Sequence, residues 1–366
     1  TPTDMPQSWR RFHAAGYRRE PTFEYRVTSP EIPDLYRRLE AIELTGVDDP
    51  VLAGLLEDKR CELRSQLDCL RLRNTPDFLS ASIALYGGVE KDLADLARLI
   101  LEAANRAGSP KNRGHEPRVG SRAFARRAHR EILRYREDYP RLSSRVEILD
   151  EIPGIMAFEG DVLVGRDLSL PAGRVEALIQ HEVGTHVVTY ANGGTHRLQM
   201  LRVGLPGYEE TQEALAVFSE YAVGGLTRAR LIQLAARVAA VDGLVRGGSF
   251  TEVFSTLTKG HGIAPKAAFQ IAARVFRSGG LTKDAIYLRG ISALLDYLES
   301  GGPLEPLFIG KLPLGSIKLV GHLRDLGLVS SPPLRPRWAD EPAAQPRIAA
   351  ARRGLGVVGL VEKEAA

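Results

Sequence analysis

The sequence predicts an α/β protein that is predominantly helical, with a small sheet set beside one histidine-bearing helix. Three observations predict it. Apolar residues recur near a 3.6-residue period from about Pro30 to Ala107 and again from Leu226 to Leu328, the spacing of helices with one buried face. Between those regions lie three short runs with strand character: Val146 to Leu149, Gly154 to Phe158, and Asp161 to Gly165. Directly after them, Val175, Leu178, Ile179, Val183 and Val187 give a buried stripe to a segment that also carries His181 and His186.

Taken in order, residues 1–28 are basic and irregular, with only Phe23-Glu24-Tyr25-Arg26 suggesting structure. A helical region, 29–140, follows, with helices expected over Ile32–Ile42, Pro50–Arg73, Pro76–Tyr86 and Glu90–Ala107. A loop around Ser109 to Gly114 separates these from a helix over Ser121–Glu137, for which Ser121 serves as N-cap. Glu159-Gly160 joins the last two strands into a hairpin. The core, 141–330, then runs through the histidine helix, closed by Asn192-Gly193-Gly194, and through later helices broken at Gly260-His261-Gly262 and Ser278-Gly279-Gly280. The tail, 331–366, is rich in Pro, Ala and Arg and reads as an extended or loosely packed appendage.

With 366 residues, 44% of them hydrophobic, the chain can bury one large core or two modest ones. It has no apolar run long enough for a membrane span and no signal-peptide pattern at its start. Cys61 and Cys69 lie on one expected helix, roughly 12 Å apart at 1.5 Å per residue, too far for a disulfide. That favours a reducing, cytoplasmic setting. The formal charge is +4, with a knot of Arg126, Arg127, His129 and Arg130 on one helix. It reads either as a strip that attracts an acidic protein tail or as a solvated face balanced by Glu131, Glu137 and Asp138. No nucleic-acid-binding signature accompanies it.

The chemistry concentrates in Gln180-His181-Glu182-Val183-Gly184-Thr185-His186. Two imidazoles flanking a carboxylate can hold a zinc ion, with the carboxylate as general base toward water. In the H-E-x-x-H pattern the histidines sit four apart; here they are five apart. On a regular α-helix five steps leave the rings about 140° apart. A π-bulge restores one face, and Gly184 tolerates the distortion. A local widening of the helix between His181 and His186 is therefore expected. A third ligand is sought in Tyr208 to Tyr221, where Glu213 sits among small and apolar neighbours that penalise a bare carboxylate. Glu220 is the rival ligand, and Glu209 a candidate to orient a ligand from behind. Strands, a histidine helix and then a glutamate helix are the order that a zincin-like peptidase core needs, and an edge strand there could pair with a peptide.

His181 to His186, Tyr190-Ala191-Asn192-Gly193, Gly207-Tyr208, Thr211-Gln212-Glu213-Ala214-Leu215-Ala216 and Gly280 to Gly290 together resemble the tyrosine metallocarboxypeptidase family. Its bacterial members are named flavohemoglobin-expression-modulating QEGLA-motif proteins, and its mammalian members are microtubule-associated tyrosine carboxypeptidases, which remove the terminal tyrosine of α-tubulin. The resemblance runs from about Phe23 to about Pro336. It implies one zinc per chain held by His181, His186 and Glu213, with Glu182 as catalytic base, and the C-terminus of a peptide or protein as substrate. Ala214 departs from the glycine of the QEGLA signature, which bears on local packing alone.

A terminal carboxylate suits a guanidinium, and Arg202, Arg274, Arg277 and Arg289 are the candidates, with Lys283 as a point-charge alternative. Tyr287, in the resembling Lys283 to Arg289 stretch, is the first choice among Tyr208, Tyr221 and Tyr287 for a donor to the developing oxyanion. Two other functions fit the same residues: a zinc-stabilised regulator without catalysis, and a metal hydrolase of a non-peptide amide or ester.

Overall fold

The structure is a computed structural model that describes residues 2–25, 31–106, 116–150 and 152–361; the loop expected at 109–114 lies outside the described residues. The chain opens with α1 (Met5–Ala14), α2 (Ile32–Glu40), α3 (Pro50–Arg71), α4 (Phe78–Tyr86) and α5 (Lys91–Arg106). Next come β1 (Arg118–Gly120), α6 (Ser121–Asp138), β2 (Val146–Leu149), β3 (Ile155–Phe158), β4 (Asp161–Gly165), β5 (Ser169–Pro171) and α7 (Val175–His181). A π-helical segment, Glu182–Val187, leads into α8 (Val188–Gly193), α9 (Met200–Val203) and α10 (Tyr208–Ala222). The rest is helical: α11 (Arg228–Val245), α12 (Phe250–Ser255), α13 (Pro265–Phe276), α14 (Ile286–Glu299), α15 (Val320–Asp325), α16 (Arg337–Asp340) and α17 (Gln345–Ala351). The protein is thus mostly helical with two small sheets. No helix among the described residues is long and apolar enough to cross a membrane.

Contacts divide the chain into two units, one formed by Thr1–Ser109 with Arg228–Leu288, the other by Pro110–Thr227 with Arg289–Ala366. In the first unit α5 packs along α11, and α11 along α13. The irregular start expected from the sequence is instead the helix α1, whose Phe12 is buried against Phe250, Phe254 and Phe269. Pro6 opens that helix, and its apolar Met5, Trp9 and Phe12 stand among five charged or polar residues, so the segment reads as basic and irregular. Cys61 and Cys69 are both free thiols on α3.

In the second unit the sheet order is β2-β4-β3. β3 and β4 form the expected hairpin, and Glu159 (φ 49°) with Gly160 (φ 88°) supplies the two left-handed residues that a tight hairpin turn demands. β2 pairs with β4 in parallel, Val146 opposite Val162 through Leu149 opposite Gly165. β1 and β5 form a separate antiparallel pair of three residues each, too short for alternation to show in the sequence. Ser121 is the first residue of α6 and makes no capping bond; Gly120 holds the N-cap position.

Val162 and Val164 of β4, Phe124, Ala128, Ile132 and Tyr135 of α6, and Val175, Ile179, Val183, Val187 and Val188 along the histidine helix share one core. Each such aliphatic side chain contributes about 1.5–3 kcal/mol on burial. The residues after Pro332 belong to the packed unit, contrary to the loose appendage expected: Leu334, Trp338, Ile348, Val357 and Leu360 are all buried. Their apolar positions are single residues spaced between prolines and arginines, so no periodic stripe announces them.

Candidate metal and catalytic site

The helix through the motif widens where the spacing demands. α7 ends at His181, and the π segment Glu182–Val187 carries the chain to His186. The two imidazole rings lie 5.1 Å apart between centroids, at 78° to one another. Side chains take up the carbonyls that a widened turn disturbs. Thr185 Oγ1 donates to the Gln180 carbonyl (3.0 Å), Thr189 Oγ1 to that of Thr185 (2.9 Å), and Trp338 Nε1 to that of Gly184 (3.3 Å). Gly184 serves for a different reason from the one expected. Its φ is not in the left-handed region, and a Cβ there would clash with Gln180 Oε1 and meet Trp338 Cδ1 at 3.1 Å. The missing methyl makes room for those side chains.

His181, Glu182 and His186 offer ligand atoms that all lie within 4.8 Å of one another. Glu213 of α10 joins this group through His181, its Oε2 standing 3.9 Å from His181 Nε2. Glu182 Oε1 is also 3.9 Å from that nitrogen. Glu182 Oε2 accepts the Ala157 N–H of β3 at 2.9 Å, so one carboxylate oxygen is tied to the edge strand and the other turns to the histidine.

Behind His181 stands Glu220. Its Oε1 accepts from His181 Nδ1 at 2.9 Å, and its Oε2 accepts from Arg174 Nη2 at 2.6 Å; Arg174 also donates to the Gly225 carbonyl. With the proton on Nδ1, the Nε2 lone pair faces Glu182 and Glu213, as a metal-binding imidazole requires. The sequence offered Glu220 as a rival ligand and Glu209 as the orienting carboxylate; the hydrogen bond gives the orienting position to Glu220. Glu213 and Glu220 are seven residues apart and share a helical face, so periodicity could find both without ranking them. Arg174 had no signal in the sequence.

Burial pushes the Glu182 carboxyl up, with the Glu213 carboxylate acting the same way and His181 pulling against them. Burial acts to lower His181, yet its bond to Glu220 and the surrounding carboxylates Glu182, Glu220 and Glu213 raise it on balance. The site is therefore rich in negative potential, and two imidazoles with carboxylates in a largely buried cluster are a donor set that fits a divalent cation.

The remaining candidates separate. In the second unit, Arg202 lies over the Tyr190 ring at 4.6 Å and has no acidic partner among the described residues, while Lys311 approaches the same ring at 5.2 Å and that of Tyr208 at 5.5 Å. Tyr190 follows His186 by one helical turn. Arg289 Nη1 donates to Glu210 Oε2 at 2.8 Å. In the first unit, Arg274 grips Asp284 through two bonds, 2.8 and 2.7 Å, and Arg237 Nε is 3.8 Å from the same carboxylate. Arg277 there is pulled below the usual arginine range by burial and then by Arg274. Lys283 sits 5.4 Å over the Tyr86 ring, and the Tyr287 ring lies 5.4 Å from the Arg237 guanidinium. His196 behaves as a packing residue, one nitrogen on the Ile309 carbonyl at 2.7 Å.

The family model of microtubule-associated tyrosine carboxypeptidases matches residues 10–355. The chain belongs to that family. Comparison with curated proteins gives no match. The family is one named for carboxypeptidase activity, and the motif segment of this member holds a buried His-Glu-His group able to bind a metal ion. At the position where the signature has glycine, the Ala214 methyl faces Gly290, where any added Cβ would come within 3.1 Å of it. A residue without a side chain on the opposite helix thus accommodates the departure.

Proposed function

We propose that this protein is a zinc-dependent carboxypeptidase that removes the C-terminal residue of a peptide or protein, with tyrosine or another aromatic as the residue released. The buried His181-Glu182-His186 group, brought onto one face by the π segment, carries the reading. We assign His181, His186 and Glu213 as zinc ligands, and the β2–β4–β3 sheet with the histidine and glutamate helices as a zincin-like core. A zinc ion held there would act as a Lewis acid toward water and the scissile carbonyl.

The chain's own residues do the rest. Glu182, anchored by Ala157 through one oxygen, accepts a proton from the attacking water on the other and delivers it to the leaving amine, so that peptide and water become two shorter products. Glu220 and Arg174 hold the His181 tautomer. Arg202 is the proposed receptor for the terminal carboxylate, since it lies in the same unit as the motif and has no acidic partner among the described residues. The preference for tyrosine follows the family's name, and the two free cysteines fit a reducing compartment such as the cytoplasm.

Elemental analysis of the purified protein, alongside His186→Ala and Glu213→Ala, is the first test. We expect about one zinc per chain, lost or sharply reduced in both variants. A screen of peptides varied at the last residue should then show release of that residue, abolished in Glu182→Gln at unchanged zinc content. A metal-free wild type after incubation with zinc overturns the reading. Zinc without peptide cleavage leaves a zinc-stabilised regulator, and cleavage confined to non-peptide amides or esters leaves a different hydrolase.

A further inference from the structure

The three-stranded sheet has two outer strands, and they meet different surroundings. β3 gives its Ala157 amide to Glu182. β2 lies beside α6 at the opposite side. The Val162 N–H donates to the Arg145 carbonyl (2.8 Å) and the Arg166 N–H to that of Leu149 (3.0 Å), so those positions turn their main-chain groups toward β4. Strand alternation turns the N–H and C=O of Val146 and Ile148 the other way, toward the outer side of the sheet. A groove of about 650 Å³ opens against this strand, with Val146 and Ile148 on its floor and Arg122, Arg126, His129 and Arg130 of α6 along its wall.

Arg122, Arg126 and Arg130 follow one another at four-residue steps, and none makes an ion pair among the described residues. The sequence offered Glu131 as a balancing charge. It is instead buried, accepting from Arg134 (3.0 Å) and Gln180 (3.3 Å) on another face of the helix. Four residues of helix rise about 6 Å, and every second side chain of a strand advances about 6.6 Å. The guanidinium row therefore matches the pitch of one face of an extended chain.

We propose that the groove between α6 and β2 docks an extended acidic peptide, which adds to the sheet as a strand beside β2 and sets alternate carboxylates against Arg122, Arg126 and Arg130. Main-chain bonds to Val146 and Ile148 supply the pairing, and the arginines select the sign of charge. The proposal stands apart from the hydrolytic reading, and its readout is binding alone.

Fluorescence anisotropy tests it with the full chain and a fluorescein-labelled, C-terminally amidated peptide of alternating Glu and Val, at low ionic strength. Saturable binding is expected, weakened roughly tenfold or more in Arg126→Glu/Arg130→Glu. A similar loss is expected on N-methylating alternate peptide residues, which blocks strand pairing and keeps the charge. A Lys-Val peptide should not bind. The two peptide controls use the wild type, so they decide the matter even if the charge-reversed variant misfolds. No binding by the wild type, equal binding of the N-methylated peptide, equal binding by a folded charge-reversed variant, or tighter binding of single-stranded RNA of equal charge each overturns the proposal.

Discussion

Glu220→Ala removes a carboxylate that is fully buried and committed through both oxygens, to His181 Nδ1 at 2.9 Å and to Arg174 Nη2 at 2.6 Å. Two separable losses follow. Arg174, whose side chain is 14% exposed, keeps its bond to the Gly225 carbonyl, but its largely buried guanidinium loses its counter-charge. Breaking a buried pair by deleting one partner costs about 3–5 kcal/mol, and the surviving carbonyl bond points to the lower end, about 3 kcal/mol. The His181 ring also loses the bond that fixes its tautomer and rotation, which for a metal ligand costs about 10–100-fold in affinity, or about 1.4–2.8 kcal/mol. Two assays keep these apart: urea unfolding of metal-free protein, and zinc titration against a chromophoric chelator. The expected result is a fall in metal-free stability of about 3 kcal/mol together with a zinc Kd raised 10–100-fold. If stability falls while Kd stays within about threefold, Glu220 is a packing residue and the reasoning from hydrogen bond to ligand orientation is refuted.

Further outcomes follow from the same structure. Trp338→Ala should cost about 3–5 kcal/mol by opening a cavity and should expose the Gly184 carbonyl, lowering zinc retention in dialysis; full retention would detach the aromatic from the site. Asp284 is buried, and the Arg274 bond and nearby guanidiniums of Arg237 and Arg277 overcome burial to hold it down to about 2. Because its folded value is depressed from 3.8, its contribution of about 2 kcal/mol is complete above pH 4 and lost as pH falls toward 2. The stability gap between wild type and Asp284→Asn in urea should accordingly narrow by that amount from pH 5 to pH 2, and a constant gap would contradict the assignment. Arg202→Ala should raise KM for peptide substrates about tenfold or more with little change in kcat, whereas an unaltered KM removes it as carboxylate receptor.

The five-residue spacing made the widened turn legible in the sequence, because a regular helix cannot bring His181 and His186 onto one face. What periodicity could not supply was the reason for Gly184. Backbone freedom was the natural explanation, but the requirement is space for Gln180 and Trp338, and Trp338 lies in a stretch that looks unstructured. Glu220 was visible as an acid on the right face, yet nothing in the sequence announces its hydrogen bond to His181 Nδ1. The helices α2 to α6 and the β3–β4 hairpin were readable because each carries an apolar period or a diagnostic turn. The β1–β5 pair escaped because three residues are too few to repeat a pattern, α1 because its apolar Met5, Trp9 and Phe12 stand among five charged or polar residues, and the parallel partnership of β2 with β4 because the hairpin strand β3 intervenes in sequence.

The bond from Trp338 to the Gly184 carbonyl spans 154 positions of sequence. During synthesis the histidine turn emerges from the ribosome long before the indole that completes its surroundings. Until then the Gly184 carbonyl lacks that donor, and the space beside the missing methyl lacks its aromatic wall. Closure of this long loop must come late, since non-local contacts are slow to form. Nascent chains halted before residue 338 would carry both histidines and the glutamate between them, yet lack the indole that packs beside them. The surroundings of the histidine turn are thus completed only once residue 338 has been made.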